Sequence, residues 1–343
     1  MVGDNMENLF VDYTTYFSLN DEPLYVENKL SNIFLQKYFY FDDLSNYTQI
    51  EYDNLFTNLY DLIIKRLNIS LPKKEYTSNV KLNNLGNDKK IIVGYSGGLD
   101  STYQALRFKE LGYDVTLLNI RGLNKMYPHE FTTITNFCNK YNFKCYYVEF
   151  PKFSSRKRPE SIIRNMLILS YMIDLGQELG INEFAMGNFD NSQIDLCDEL
   201  YCLSDSKEMY DAFIKDVLKI FPNFKYYSMN KTKYELYKYF VDNNSECLNY
   251  IESCVGPYRF RTNLHNTNSK KYGFNLLPNR DGSCNKCSME YLCLSDLGYY
   301  PKNDDYIKKA IKTIANSRQF DSLFYSINEN DSVEKVLRIL GKR

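Results

Sequence analysis

The stretch KIIVGYSGGLDSTYQAL, residues 90–106, constrains this chain more than any other. Ile91, Ile92 and Val93 form a short β-branched run with the length of a buried strand. It leads into Ser96-Gly97-Gly98-Leu99-Asp100-Ser101 and then into TYQALRFKELG, whose pattern is helical. Strand, glycine turn and helix start, in that order, make an anion site. Glycines permit backbone conformations and close approach that a Cβ would block. The free N–H groups at a helix start point at the anion, and the helix dipole favours negative charge there. Asp100 or Ser101 is the expected N-cap. An acidic residue inside a phosphate loop is accounted for by Mg²⁺ bridging it to the phosphate. The plain alternative is a glycine turn after a strand, and the Asp-Ser that follows weighs against it. A Walker A loop is excluded, because its GxxxxGK[ST] spacing and lysine are missing.

Around this stretch, residues 90–230 alternate strand and helix. The expected strands after the first are 113–120, 143–150 and 181–187, with helices at PHEFTTITNFCNKYN and about 160–180. This alternation predicts α/β architecture: a doubly wound parallel sheet with helices on both faces. Ligands in such sheets sit beyond the carboxyl ends of the strands, where Ser96–Ser101, Arg121-Gly122 and Gly187–Asp190 gather. Residues 1–85 read as an aromatic-rich α+β extension. LFVDYTTYF and KYFYFDD are its expected strands and DNLFTNLYDLIIKRLN its amphipathic helix. LPKKEYTSNVKLNNLGNDKK reads as a linker. The remaining expected units are the sheet domain that carries the glycine turn at 86–250, a cysteine-bearing subdomain at 251–299 and a helical extension at 300–343.

Composition narrows the class. A net charge of −1 gives no general drive toward nucleic acid or an anionic membrane. No apolar run is long enough to span a bilayer, and MVGDNMENLF lacks the pattern of a secretion signal. A reducing cytoplasm is therefore expected, and the nine cysteines are not read as a disulfide framework. The 32 tyrosines and 22 phenylalanines are spread along the chain, which argues against an aromatic nucleic-acid platform.

Other stretches carry chemistry. Arg164-Asn165 at a helix start offers a fork for phosphate or carboxylate, against the plain reading of a solvated helix end. Arg156-Lys157-Arg158 reads as a solvated loop that could also close over phosphates. The polar stretch Gly187–Asp195 follows a strand, as a substrate loop would. Lys231, Thr232 and Lys233 open a short helix, and a lysine there can reach a phosphate. Cys284 and Cys287 form a CxxC, with Cys293 shortly after and Cys254 some thirty residues before. Four thiolates are the number a structural Zn²⁺ takes, and a redox CxxC is the rival reading. Two histidines leave little room for a His-based site.

Taken together, these segments resemble one family. VGYSGGLDST carries the SGGxDS loop of the PP-loop ATP pyrophosphatases. With IIRNMLILS, AMGNFDNS, TKYE, ESC and CNKC following in order, residues 90–295 resemble QueC, the 7-cyano-7-deazaguanine synthase family. The resemblance implies ATP, Mg²⁺ and a structural Zn²⁺ as cofactors. It implies that Tyr95, Ser96, Gly97, Gly98, Leu99, Asp100, Ser101 and Thr102 hold ATP together with Arg164 and Lys233. Asp100, Ser101 and Lys233 would be the catalytic set. Arg164, Asn165, Gly187, Asn188, Asp190 and Gln193 would face the deazapurine, and Cys254, Cys284, Cys287 and Cys293 would hold zinc. Departures are Arg121-Gly122-Leu123 after the second strand, a rewritten loop at 192–198, and Cys293 beyond CxxC spacing. QueC-like proteins with such extensions occur in phage DNA modification and antiphage defence.

The implied chemistry is adenylation of a 7-carboxy-7-deazaguanine-type carboxylate, followed by attack of ammonia or a protein amine. The product is an amide, the nitrile or a conjugate. The expected partners are that small molecule, the amine donor and an operon partner protein, with no membrane and no nucleic acid as direct ligand; self-association as a homodimer is compatible with this reading. Two alternatives stay open: a PP-loop enzyme that thiolates tRNA, and a nucleotide-binding defence component without turnover.

Overall fold

The computed structural model describes residues 13–19, 22–33, 52–67, 75–76, 82–83, 88–121, 130–149, 160–189, 207–252, 254, 258–317 and 327–342. The expected first strand is β5 (Lys90–Gly94), at the interior of a seven-stranded sheet. Ile91, Ile92 and Val93 are fully buried, as a parallel strand covered on both faces demands. On one side lie β6 (Asp114–Arg121) and β7 (Lys144–Glu149), on the other β8 (Glu183–Phe189) and β9 (Lys225–Met229), all parallel. Four expected strands are thus present within a residue or two. β9, and the helix before it, carry no sequence expectation of their own.

Alternation along β5 assigns the two layers. Ile91 and Val93 pack with α3 (Leu99–Glu110) and α4 (Glu130–Tyr141) in one core. Ile92 packs in a second core with α5 (Glu160–Leu179) and α6 (Lys207–Val217). Successive strand residues point to opposite faces, so one strand serves both cores.

The N-terminal segment continues this sheet. β1 (Tyr13–Ser18) pairs antiparallel with both β7 and β2 (Pro23–Glu27), giving the order β2-β1-β7-β6-β5-β8-β9. Two acids of the second face fasten its helices. Asp174 on α5 accepts from Leu30 N, Ser31 N and Ser31 Oγ at the start of α1 (Leu30–Ile33). Asp216 on α6 accepts from Leu59 N at 3.0 Å at the start of α2 (Thr57–Leu67), the expected amphipathic helix. The stretch read as a linker is not wholly irregular. Its Glu75–Tyr76 (β4) pairs in parallel with Tyr52–Asp53 (β3). The expected strand KYFYFDD lies outside the described residues.

After β9 the chain turns helical: α7 (Lys233–Asn243), α8 (Tyr258–Tyr272), α9 (Asn285–Asp296), α10 (Asp304–Ala315) and α11 (Val333–Ile339). Leu236, Phe274, Tyr291, Ile311 and Leu337 join the core of the α3/α4 face. The segments expected as a metal subdomain and a C-terminal extension therefore pack on the same layer as the glycine turn. Among the described residues, no helix is long and apolar enough to cross a membrane.

Candidate active site and metal centre

The chain leaves β5 toward one face and β8 toward the other, the switch point at whose carboxyl edge wound sheets of this kind hold ligands. The glycine turn sits there. Gly97 has φ +72°, in the left-handed region that favours glycine. The N-cap of α3 is Gly98, two or three residues before the expected Asp100 or Ser101, and no side chain caps it. Asp100 and Ser101 lie in the first helical turn instead, where a negative side chain is favoured by the dipole. Ser101 Oγ donates to Gly98 O at 3.2 Å and accepts from Ser96 N at 3.3 Å, which closes the turn on itself.

Not every side chain of the motif is exposed. Thr102 is fully buried, and Tyr95 and Leu99 are nearly so. Tyr95 OH lies 3.3 Å from Thr102 Oγ1, and its ring stacks on Phe137 with centroids 5.1 Å apart. Burial raises the Tyr95 phenol well above its ordinary pKa. The helical turn carries these side chains under the loop, so they support it rather than line it. Of the residues expected to hold ATP, Tyr95, Leu99 and Thr102 thus have buried side chains.

Lys233 arrives from the far edge of the sheet. The capping box of Thr232 and Glu235 starts α7, and Lys233 is its first residue. Its Nζ lies 2.6 Å from both carboxylate oxygens of Asp100. Both side chains remain about a quarter exposed, so the pair is open to solvent at the carboxyl edge of the sheet. Gly187 closes the other side. A Cβ there would lie 2.7 Å from Asp100 Cβ and 2.9 Å from Ser101 N. The end of β8 can therefore approach the start of α3 only because residue 187 is glycine. Gly187, expected to face a substrate, packs against the acid.

The acceptor half of the expected site is less fully described. Asn165 is buried on α5. Arg164 and Asn188 are placed by backbone only, on α5 and β8. Asp190, Gln193 and Arg156-Lys157-Arg158 lie outside the described residues.

The metal centre differs from the expected ligand set in one position. Ligand atoms of Cys254, Cys284, Cys287 and Asp281 all lie within 4.8 Å of one another. Cys293 is fully buried in the hydrophobic core instead. It follows Cys287 by six helical residues, about 9 Å along the axis at 1.5 Å each, and cannot share an ion with it. Asp281 stands three residues before Cys284, as Cys284 stands before Cys287. That regular spacing was the available signal. Asp281 Oδ1 accepts from Ser283 N and Cys284 N, which shapes the knuckle. Cys284 Sγ caps α9 by accepting from Cys287 N at 3.4 Å.

Three sulfurs and a carboxylate suit Zn²⁺, which takes four such ligands tetrahedrally. The adjacent Cys284 sulfur pushes the Cys254 thiol up to about 12, and burial raises Cys287. Thiols held together resist ionisation until a cation joins them, so metal binding here releases protons.

Two buried arginines hold the knuckle. Arg280 donates from Nε to both oxygens of Glu290 at 2.9 Å, and from Nη1 to Ile251 O at 2.6 Å. Arg261 pairs with Glu252 and donates to Cys254 O at 3.1 Å. Glu252 N in turn donates to Gly97 O at 2.7 Å. Sequence reasoning missed Asp281, Arg261, Arg280 and Glu290, and took Glu252 only as part of the ESC motif. Compared with known proteins, no family model matches the chain, and neither does any curated protein.

Proposed function

We propose that this chain binds the pyrophosphate end of ATP on the Ser96–Ser101 turn and transfers AMP to a carboxylate, which an amine then attacks. The Asp100–Lys233 pair carries the reading. A carboxylate and an ammonium from distant elements meet at a helix start that no side chain caps, beside a left-handed glycine. Backbone N–H groups, a helix dipole and a lysine converge there, and these are the groups that hold phosphate.

A carboxylate is a poor electrophile because oxide would have to leave. When one of its oxygens attacks the α-phosphorus, pyrophosphate departs and AMP becomes the leaving group of a mixed anhydride. The protein's part is positioning and charge. Asp100 would hold Mg²⁺, which supplies charge neutralisation on the phosphates. Lys233 exchanges its carboxylate partner for a phosphate oxygen. The α3 amides face the developing charge. The knuckle of Cys254, Asp281, Cys284 and Cys287 would hold Zn²⁺ as a structural ion.

The acceptor assignment is a 7-carboxy-7-deazaguanine-type carboxylate, and it rests on the QueC resemblance. It is supported by the approach of Gly187 to Asp100, which brings the end of β8 against the turn. Attack by ammonia gives an amide, a second activation dehydrates it to the nitrile, and a protein amine gives a conjugate. The test is incubation with ATP, Mg²⁺, ammonium and 7-carboxy-7-deazaguanine, read by mass spectrometry. AMP and pyrophosphate should form only when the carboxylate is present. Turnover with tRNA or another carboxylate instead would replace the acceptor assignment. No nucleotide cleavage with any acceptor would remove the adenylation reading.

A further inference from the structure

We propose that residues 340–342 are a positioning element for Lys233: the C-terminal segment completes the cap of the helix that carries the lysine. A helix leaves its first N–H groups without internal acceptors. In α7, Thr232 Oγ1 accepts from Glu235 N at 3.3 Å, and Glu235 accepts from Thr232 N at 2.8 Å. The amide of Tyr234 is closed from elsewhere, donating to Leu340 O at 3.1 Å. Thr232 Oγ1 also lies 3.4 Å from Gly341 O. The two chain neighbours of Lys233 therefore meet adjacent residues of the tail, Tyr234 through its amide to Leu340 O and Thr232 through its hydroxyl, which also lies 3.0 Å from Glu235 Oε2, to Gly341 O.

The fit is close. Gly341 has φ +101°, and a Cβ there would lie 2.1 Å from Thr232 Cβ. A second tie runs through Asp296, whose carboxylate accepts from Tyr234 OH at 2.6 Å and from Lys342 Nζ at 2.9 Å. Leu337 and Leu340 are buried and anchor the segment. Lys233 is gripped on both sides along the backbone, while its Nζ reaches Asp100. A misplacement of about 1 Å in such a group is enough to cost a large factor in rate.

This inference rests on Lys233 serving a bound nucleotide, so the test carries a readout that needs none. Gly341→Ala and Lys342→Ala are made in the full chain. Amide hydrogen exchange is followed across the protein, and affinity for ATP with Mg²⁺ is measured by calorimetry. We expect Gly341→Ala to speed exchange at Tyr234 by roughly tenfold, the scale of one lost hydrogen bond. Faster exchange should also reach residues 96–101, with α9 and α10 unchanged. ATP affinity should fall by roughly tenfold or more, the scale of a charge-assisted contact. Lys342→Ala should act in the same direction, and Lys342→Arg should restore it. Unchanged exchange at Tyr234 overturns the proposal, as does a rise spread evenly over α9 and α10. Exchange that rises as expected in a protein whose ATP affinity stays unchanged also overturns it. A wild-type protein that binds no ATP removes the nucleotide reading, and the exchange pattern alone then decides the positioning claim.

Discussion

The amide of Glu252 donates to the carbonyl of Gly97 at 2.7 Å, and Glu252 stands two residues before Cys254 of the candidate metal cluster. The knuckle and the glycine turn are therefore joined by backbone. Removing the metal should loosen the turn as well as the fold. Chelation is expected to lower the melting temperature and to weaken ATP binding together, and Zn²⁺ should restore both. ATP affinity unchanged in metal-free protein would show that the turn stands by itself.

The ligand set can be tested by metal content. Cys287→Ser and Asp281→Ala should each weaken Zn²⁺ binding, by at least the roughly 10–100-fold typical of a disturbed metal site. Cys293→Ser should keep one bound ion and lose stability only through packing. Zinc lost from Cys293→Ser with normal content in Asp281→Ala would reverse the assignment.

Asp100→Asn should abolish Mg²⁺-dependent AMP formation. Its pair with Lys233 is partly exposed, so global stability should change by less than about 1 kcal/mol. Gly187→Ala tests the same corner sterically. Its added methyl meets Asp100 and the Ser101 amide, and overpacking of this kind costs about 1–3 kcal/mol. Urea melts and AMP assays on both variants separate charge from shape. Wild-type turnover in Asp100→Asn would end the proposed role of the acid.

Asp174 gives a pH dependence of known sign. Burial raises its pKa from 3.8 to about 6, against the hydrogen bonds from Ser31 and Leu30, which lower it. The native state then binds this proton more tightly than the unfolded chain does. Its contribution to stability is greatest below about pH 4 and is lost as pH rises through 6. Asp174→Asn removes the titration and keeps one acceptor for the start of α1. The stability difference between wild type and variant, measured by urea melts from pH 4 to 7, should shift against the wild type with rising pH. A pH-independent difference would contradict this.

Arg280 and Glu290 form a buried pair at the knuckle. Arg280→Met leaves Glu290 without its cation and Ile251 O without its donor, which should cost about 3–5 kcal/mol. The double variant Arg280→Met, Glu290→Leu should recover part of the loss in a melting experiment. No recovery would mean that the contact to Ile251 dominates.

Much of the site was legible because it is local. A β-branched triplet, two glycines and an acid within a dozen residues announce strand, turn and helix start by periodicity and backbone freedom alone. The short helix opened by Lys231, Thr232 and Lys233 was legible in the same way, and the structure starts it with a capping box of Thr232 and Glu235. Cys284 and Cys287 are one turn apart and declare a ligand pair. Cys293 misled because nearness in sequence was taken for nearness in space, while six residues of helix carried its sulfur into the core.

By itself, then, the sequence determined the elements: an α/β alternation, a glycine turn at a helix start, a lysine at another helix start and a cysteine knuckle. Tertiary structure decided who meets whom. Asp100 meets Lys233 because β5 and β9 lie in one sheet and the helix after β9 returns to the face that holds α3. Gly97 meets Glu252, and Cys254 joins Asp281, Cys284 and Cys287, through packing of segments far apart in the chain. Periodicity and propensity act over a few residues, whereas these contacts depend on which crossovers the buried cores select.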